Sequence, residues 1–99
     1  MFIHNRKIRG SRMGNRIWSV LVSIELKDGI RDPEGETIAQ DLFHRSGRAF
    51  VKGVRVGKLL RMEVKARSGE DAVEMVRRAC EELRLYNPAV HTCRVWVEV

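Results

Sequence analysis

The sequence predicts a single α+β domain with the element order β-α-β-β-α-β. Residues 17–26 and 59–67 each place their side chains on two faces with period two, which is typical of strands. Apolar residues recur at helical spacing after Pro33 and again after Ser68, which indicates two helices. The chain has 99 residues, enough for one hydrophobic core and too few for two.

A turn after the first strand leads into a helix that begins at Pro33. Asp32 is a suitable N-cap, and proline suits the first helical position. Gly35 in the first turn lowers helix propensity, and a close approach of another backbone segment is one explanation for it. Gly47 is suited to end the helix. The sequence predicts that this helix buries a stripe formed by Ile38, Ala39, Leu42 and Phe43.

The centre of the chain is predicted to be a hairpin. Residues 49–56 form its first strand and residues 59–67 its second. Gly57 and Lys58 lie between them, and glycine at the first central position permits a type II′ turn. In the second of these strands the apolar residues alternate with charged ones: Leu60, Met62, Val64 and Ala66 against Arg61, Glu63, Lys65 and Arg67.

Ser68, with Asp71 three residues later, approximates a capping box for the second helix. Asn87 and Pro88 are expected to stop that helix before a last strand over residues 90–99. These elements predict a ferredoxin-like antiparallel sheet with both helices on one face. The apolar residues expected on the other, open face predict self-association or a larger partner; they are Ile17, Leu21, Leu59 and Trp96.

The net charge of +6 lies mostly in the first sixteen residues, which carry +5. We therefore predict a flexible basic extension over residues 1–15 and a near-neutral domain over residues 16–99. The two cysteines, the absence of a secretory signal and the absence of an apolar run long enough to cross a membrane predict a cytoplasmic protein.

Candidate chemical sites are few. Residues 53–58 approximate a phosphate-binding loop, but the glycine spacing is one residue short and Leu59 stands where Ser or Thr is needed. His91 and Cys93 share a strand face without the further ligands that structural zinc requires. Cys80 falls on the apolar stripe of its helix, which favours a buried thiol. The sequence therefore predicts no catalytic residue, no metal site and no cofactor bound by this chain.

Three segments together resemble the PurS family, the small subunit of phosphoribosylformylglycinamidine (FGAM) synthase. Residues 27–35 read KDGIRDPEG and resemble a family signature. Residues 54–58 read VRVGK and resemble the central hairpin of the family. CEEL at residues 80–83, followed by NPAV at residues 87–90, is similar to the C-terminal end. The resemblance extends over residues 17–99.

This resemblance implies a PurS-like antiparallel α+β subunit that forms a homo-oligomer, either a dimer or a tetramer. It implies assembly with a large synthetase subunit and a glutaminase subunit in a ligase of purine biosynthesis. The assembled enzyme would use ATP, Mg²⁺ and glutamine-derived ammonia, and this chain would assist assembly and ammonia transfer. The resemblance also implies partner-interface positions, which are Asp32, Arg55, Gly57, Lys58 and Asn87.

Structural roles compete with partner contact at several of these positions. Asp32 and Gly57 are explained by helix capping and turn geometry, whereas Arg55 and Lys58 are the better candidates for partner contact, because nothing local requires their charge. The chain departs from the family in its basic extension and in the cations of residues 45–52.

Two other classes of function remain open: a ferredoxin-like nucleic-acid binder, suggested by the basic extension, and a regulatory domain that binds a small ligand.

Overall fold

The computed structural model describes residues 15–99, in which an antiparallel three-stranded sheet has the strand order β2-β1-β3. The predicted extension over residues 1–15 lies outside the described residues, except for its last residue. The elements in chain order are β1 (Arg16–Leu26), α1 (Pro33–Thr37), a π-helical segment (Ile38–His44) that continues α1, β2 (Gly57–Ala66), α2 (Gly69–Glu82) and β3 (His91–Val97).

The central strand β1 carries the core of the domain. It pairs with β2 along its whole length and with β3 over its second half. Val20 and Val22 are completely buried on the face that α2 covers. Alternating residues of both edge strands pack in the same core, as the sequence predicts: Leu60, Met62, Val64 and Ala66 of β2, and Cys93 and Val95 of β3.

Helix α2 closes this core with a narrow stripe of Ala72, Val76 and Cys80. The predicted cap is confirmed, since the backbone N–H of Asp71 donates to the Ser68 hydroxyl at 3.1 Å. The helix ends before Asn87, because Arg84 adopts a left-handed φ of 57°. The N–H of Leu85 then donates to the Cys80 carbonyl, which completes a Schellman-type ending.

The predicted fold class is confirmed, but its central hairpin is not formed. Residues 51–56 lie in no strand, and Gly57 and Lys58 are the first residues of β2, opposite Glu25 and Ile24. Gly57 does not adopt a positive φ. The outer edge of β2, where the predicted strand would pair, is unpaired in the described sheet, and residues 54–56 instead cross the first turn of α1, where the Val56 N–H donates to the Asp32 carboxylate.

The first helical region also differs from its predicted form. Its α-helical part is short, and from Ile38 onward the winding is π-helical, with the Arg45 N–H donating to the Gln40 carbonyl. Ala39 is buried, but Leu42 is 62% exposed. The wider π turn changes the angular spacing of side chains, so the predicted four-residue stripe does not lie on one face. This region is also largely separate from the sheet face that α2 covers.

The open face of the sheet carries the apolar residues that the sequence placed there. The register sets Leu21 between Arg61 of β2 and Trp96 of β3. Leu21 is buried, whereas Leu59 and Trp96 are exposed. Over the described residues, no helix has the length and apolar character needed to span a membrane.

Candidate functional site

The three segments that carry the family resemblance meet at one end of the sheet. We call this region the junction and define it as residues 27–35, 54–58 and 87–91. The first segment follows the end of β1, the second leads into β2, and the third leads into β3. The Lys27 N–H donates to the Val90 carbonyl at 2.9 Å, which joins the first segment to the third.

Asp32 joins the first segment to the second. One carboxylate oxygen accepts from the Gly35 N–H at 3.0 Å, as predicted for an N-cap, and the other accepts from the Val56 N–H at 2.7 Å. The side chain is almost completely buried. The hydrogen bond from Val56, then that from Gly35, lowers the pKa of Asp32 from its ordinary value of 3.8. The carboxylate is thus charged and fully engaged by backbone donors.

Gly35 permits the same contact between segments. A Cβ built at this position would collide with the Val54 carbonyl oxygen and would lie 2.9 Å from the Asp32 carboxylate. The close approach of backbone that Gly35 suggested is therefore confirmed. Only glycine allows residues 54–56 to cross the first turn of α1 at this distance.

Arg55 has a structural contact that the sequence did not reveal. Its guanidinium donates to the Leu26 carbonyl at 3.3 Å and to the Lys27 carbonyl at 2.9 Å. The expectation that nothing local requires the charge of Arg55 is therefore wrong. A guanidinium can bind two neighbouring carbonyls at the end of a strand, since it offers several donors in one plane.

A contact within the described part of the fold explains Gly57, whereas none is found there for Lys58. A Cβ at Gly57 would lie 2.7 Å from the Ile24 carbonyl oxygen and 2.8 Å from Cγ of Glu25, so a close approach of β1 explains this glycine. Lys58 is exposed, and no hydrogen-bond or ion-pair partner for it is found within residues 15–99. Of the five predicted interface residues, Lys58 is the one that the described fold leaves available.

Asn87 shapes the entry to β3. Its side-chain oxygen accepts from the Ala89 N–H at 3.0 Å, and its carbonyl accepts from the N–H groups of Val90 and His91. The Asn87 N–H donates to Nδ1 of His91 at 3.2 Å. Asn87 thus holds a tight turn with groups from both its main chain and its side chain.

A shallow depression of about 290 Å³ lies at the junction and ends at the Lys58 side chain. Its chemistry is mixed, since it combines apolar walls with one acid, one amine and one imidazole. Its lining residues are Ile24, Leu26, Glu34, Val56, Gly57, Lys58, Leu85 and His91. The Glu34, Lys58 and His91 side chains form no hydrogen bond or ion pair with one another within the described residues, so the depression contains no paired acid and base.

The two cysteines face each other in the core between α2 and β3. Both are free thiols. Burial raises the pKa of Cys80 and of Cys93, which disfavours the reactive thiolate. No group of three or more His, Cys, Asp or Glu side chains with metal-binding geometry occurs within the described residues.

Comparison with known proteins gives a consistent result. A family model described as PurS, phosphoribosylformylglycinamidine (FGAM) synthase, matches residues 19–99. The chain is 39% identical to the synthase subunit PurS of Thermotoga maritima over 79 residues, which cover 80% of this chain and 94% of that protein.

Solved structures agree with this match. One is PurS of Methanocaldococcus jannaschii, described as a subunit of formylglycinamide ribonucleotide amidotransferase in the purine biosynthetic pathway. It superposes with a TM-score of 0.70 at 33% identity over 82% of this chain and 95% of its own. A chain of the PurLQS structure from Thermotoga maritima superposes with a TM-score of 0.72 at 38% identity. The match covers 83% of this chain and 98% of that one.

Proposed function

The chain belongs to the PurS family, and we propose that it is the non-catalytic subunit that holds the two catalytic subunits of FGAM synthase together. It is a small subunit of that enzyme and acts in purine biosynthesis. The partners that we propose are a large synthetase subunit and a glutaminase subunit, because a similar chain is part of the PurLQS structure. Nucleic-acid binding and small-ligand regulation are not favoured.

The observation that carries this proposal is that residues of the family motifs bind to the backbone of this chain. The Asp32 carboxylate, the Arg55 guanidinium and the Asn87 amide all bind backbone groups of this chain. Each of the three therefore has a structural role in holding segments of this chain together. These residues therefore support a binding surface rather than an active site.

Several finer features belong to the same proposal. We expect ATP and Mg²⁺ to bind to the catalytic subunits of the ligase and not to this chain, and we expect the assembly to be cytoplasmic. The exposed Leu59 and Trp96 on the open sheet face support self-association as a dimer or a tetramer. By holding the glutaminase against the synthetase, the chain would help ammonia to pass between them.

A reconstitution experiment tests the proposal. The full chain is mixed with the large synthetase subunit and the glutaminase subunit in the presence of glutamine, ADP and Mg²⁺, and complexes are resolved by size. We expect a ternary complex that does not form when this chain is omitted. Omission should abolish glutamine-dependent synthesis but preserve synthesis from added ammonium. Full glutamine-dependent activity without this chain would contradict the proposal.

A further inference from the structure

Positive charge in the described domain is concentrated in one continuous segment. Residues 42–62 contain six Lys or Arg residues and no Asp or Glu. The domain as a whole is near neutral, so this concentration is not a general property of its surface. Charge collected on one segment of a neutral domain is characteristic of a surface that attracts an oppositely charged partner.

The cations at the two ends of this segment have carboxylate partners. Arg45 forms an ion pair with Asp41 at 3.5 Å, and Arg61 forms one with Glu98 at 2.9 Å. Of the four cations between them, Arg55 lies close enough to the Asp32 and Glu36 carboxylates to interact with both. The other three form no ion pair within residues 15–99; they are Arg48, Lys52 and Lys58. The unneutralised charge is therefore centred on residues 48–58.

An exposed aromatic residue lies within the same segment. Phe50 is 76% exposed, between Arg48 and Lys52 in the sequence. A phenyl ring in water loses the free energy that burial would provide, and aromatic side chains are enriched among residues that dominate protein interfaces. Phe50 is thus an apolar anchor with a cation two residues away on each side.

Hydrogen bonds hold this loop in a defined conformation. Nε2 of His44 lies 2.8 Å from the Val51 carbonyl oxygen, which closes the loop across its base. The Arg48 N–H donates to the Phe43 carbonyl at 2.7 Å, and Gly47 adopts a φ of 86° that favours glycine. A loop ordered before binding loses less conformational entropy when a partner engages it.

We propose that residues 44–53, which we call the basic loop, dock onto an acidic protein surface with an apolar recess that receives Phe50. The occupant is a catalytic subunit of the same enzyme, so this inference rests on the proposed function. Carboxylates on the partner would face Arg48 and Lys52, and the recess would bury the phenyl ring. Lys58, at the edge of the junction depression, extends the same basic surface.

A protein partner fits the loop better than a nucleic acid does. Single-stranded nucleic acids are bound by successive aromatic side chains that stack consecutive bases, and the basic loop offers one aromatic ring. The Arg48 guanidinium donates to the Ser46 carbonyl at 3.3 Å, which directs part of its hydrogen-bonding capacity into the loop itself. One apolar anchor flanked by cations matches the arrangement of a protein hot spot.

Four single variants test the inference. Phe50→Ala and Lys52→Glu change the basic loop. Leu83→Ala removes an apolar side chain of similar exposure, 78%, and Arg67→Glu reverses an exposed cation outside the loop. Each variant of the full chain is titrated against the large synthetase and glutaminase subunits at low and high salt. Thermal unfolding and oligomeric state establish that each variant is folded as the wild type is.

We expect Phe50→Ala and Lys52→Glu each to weaken assembly at least about tenfold, and Leu83→Ala and Arg67→Glu to leave it unchanged. Salt should weaken the wild-type assembly more than that of Lys52→Glu.

If all four variants assemble like the wild type, the loop assignment is overturned while the proposed function stands. Failure of the wild type to assemble would overturn the proposed function and this assignment together. Loss of binding to a single-stranded RNA oligonucleotide in the loop variants, with assembly intact, would assign the loop to nucleic acid instead.

Discussion

The basic loop and residues 54–58 adjoin in the chain, and both are rich in cations, yet they use them differently. In residues 54–58, Arg55 binds two backbone carbonyls, and Val54 and Val56 contact the start of α1. In the basic loop, Phe50 and Lys52 make no such contact with the described domain. A motif shared with a family therefore does not by itself mark a binding residue, because Arg55 within the motif holds the fold, whereas Phe50 and Lys52 outside it are exposed.

The largest expected effect is on stability, at the contact between residues 54–58 and the start of α1. Gly35→Ala places a methyl group against the Val54 carbonyl, and backbone on both sides leaves little room to adjust. We expect a loss of about 3 kcal/mol in the free energy of unfolding, measured by urea denaturation. Gly53→Ala in the basic loop is the matched control, since a Cβ there meets nothing within 4 Å. Equal stability of the two variants would contradict the proposed close approach.

The second effect concerns Asp32. Asp32→Asn removes the charge that accepts from Gly35 and Val56, and we expect the midpoint of thermal unfolding at neutral pH to fall by about 5–10 °C. Asp28→Asn, an exposed position in the same motif, should leave the midpoint unchanged.

The difference in stability between the wild type and Asp32→Asn should change with pH in a defined direction. The folded pKa of Asp32 is lowered, so its contribution is fully present above the pKa of an unfolded aspartate and is lost as pH falls through the lower folded value. The stability difference between wild type and Asp32→Asn should therefore shrink on acidification. A difference that stays constant in acid would show that the charge of Asp32 is not what stabilises the junction.

Arg55 and Lys58 provide a smaller contrast in stability. Arg55→Ala removes a donor from the Leu26 carbonyl and one of the two donors to the Lys27 carbonyl, which also accepts from the Ile30 N–H, and we expect a loss of about 1 kcal/mol in unfolding free energy. Lys58→Ala should change stability by less than about 0.5 kcal/mol, because no described residue pairs with it. If Arg55→Ala were neutral, these hydrogen bonds would have no net value in solution.

The smallest change in stability is expected for Lys58→Glu, whose effect should appear in assembly instead. Reversal of this exposed charge should leave the fold intact and weaken binding to the catalytic subunits about threefold to tenfold. Lys58→Gln, which removes the charge without reversing it, should lie between the variant and the wild type. Wild-type affinity in both variants would restrict the partner-facing charge to the basic loop.

The sequence was sufficient for the elements whose signals are local. Period-two alternation located β1 and β2, and Ser68 with Asp71 located the start of α2. It was insufficient at the centre of the chain, where Gly57 favours a hairpin turn but actually serves a close approach to β1. A glycine required by a positive φ and a glycine required by a distant carbonyl look the same in a sequence.

The candidate site was predicted only in part for a related reason. The five predicted interface positions lie at one end of the sheet, and partner contact at them stays a prediction. The contact of Asp32 with Val56 and the contacts of Arg55 join residues 24 to 29 positions apart, so they have no local signal in the sequence. Phe50 was not identified as a candidate. The absence of acidic residues over residues 42–62 was the available signal for it, because it isolates one aromatic side chain within an unneutralised run of cations.

The π-helical segment has a consequence for how this loop can evolve. A π turn contains one residue more than the α-helical turn that it replaces, so it behaves as a single-residue insertion retained in place. Removal of one residue between Ile38 and His44 would allow α-helical winding with about the same total rotation, because the extra residue is taken up within the π turn. A single codon deletion there would thus shorten the helical region while leaving the direction of the following chain and the register of the sheet nearly unchanged.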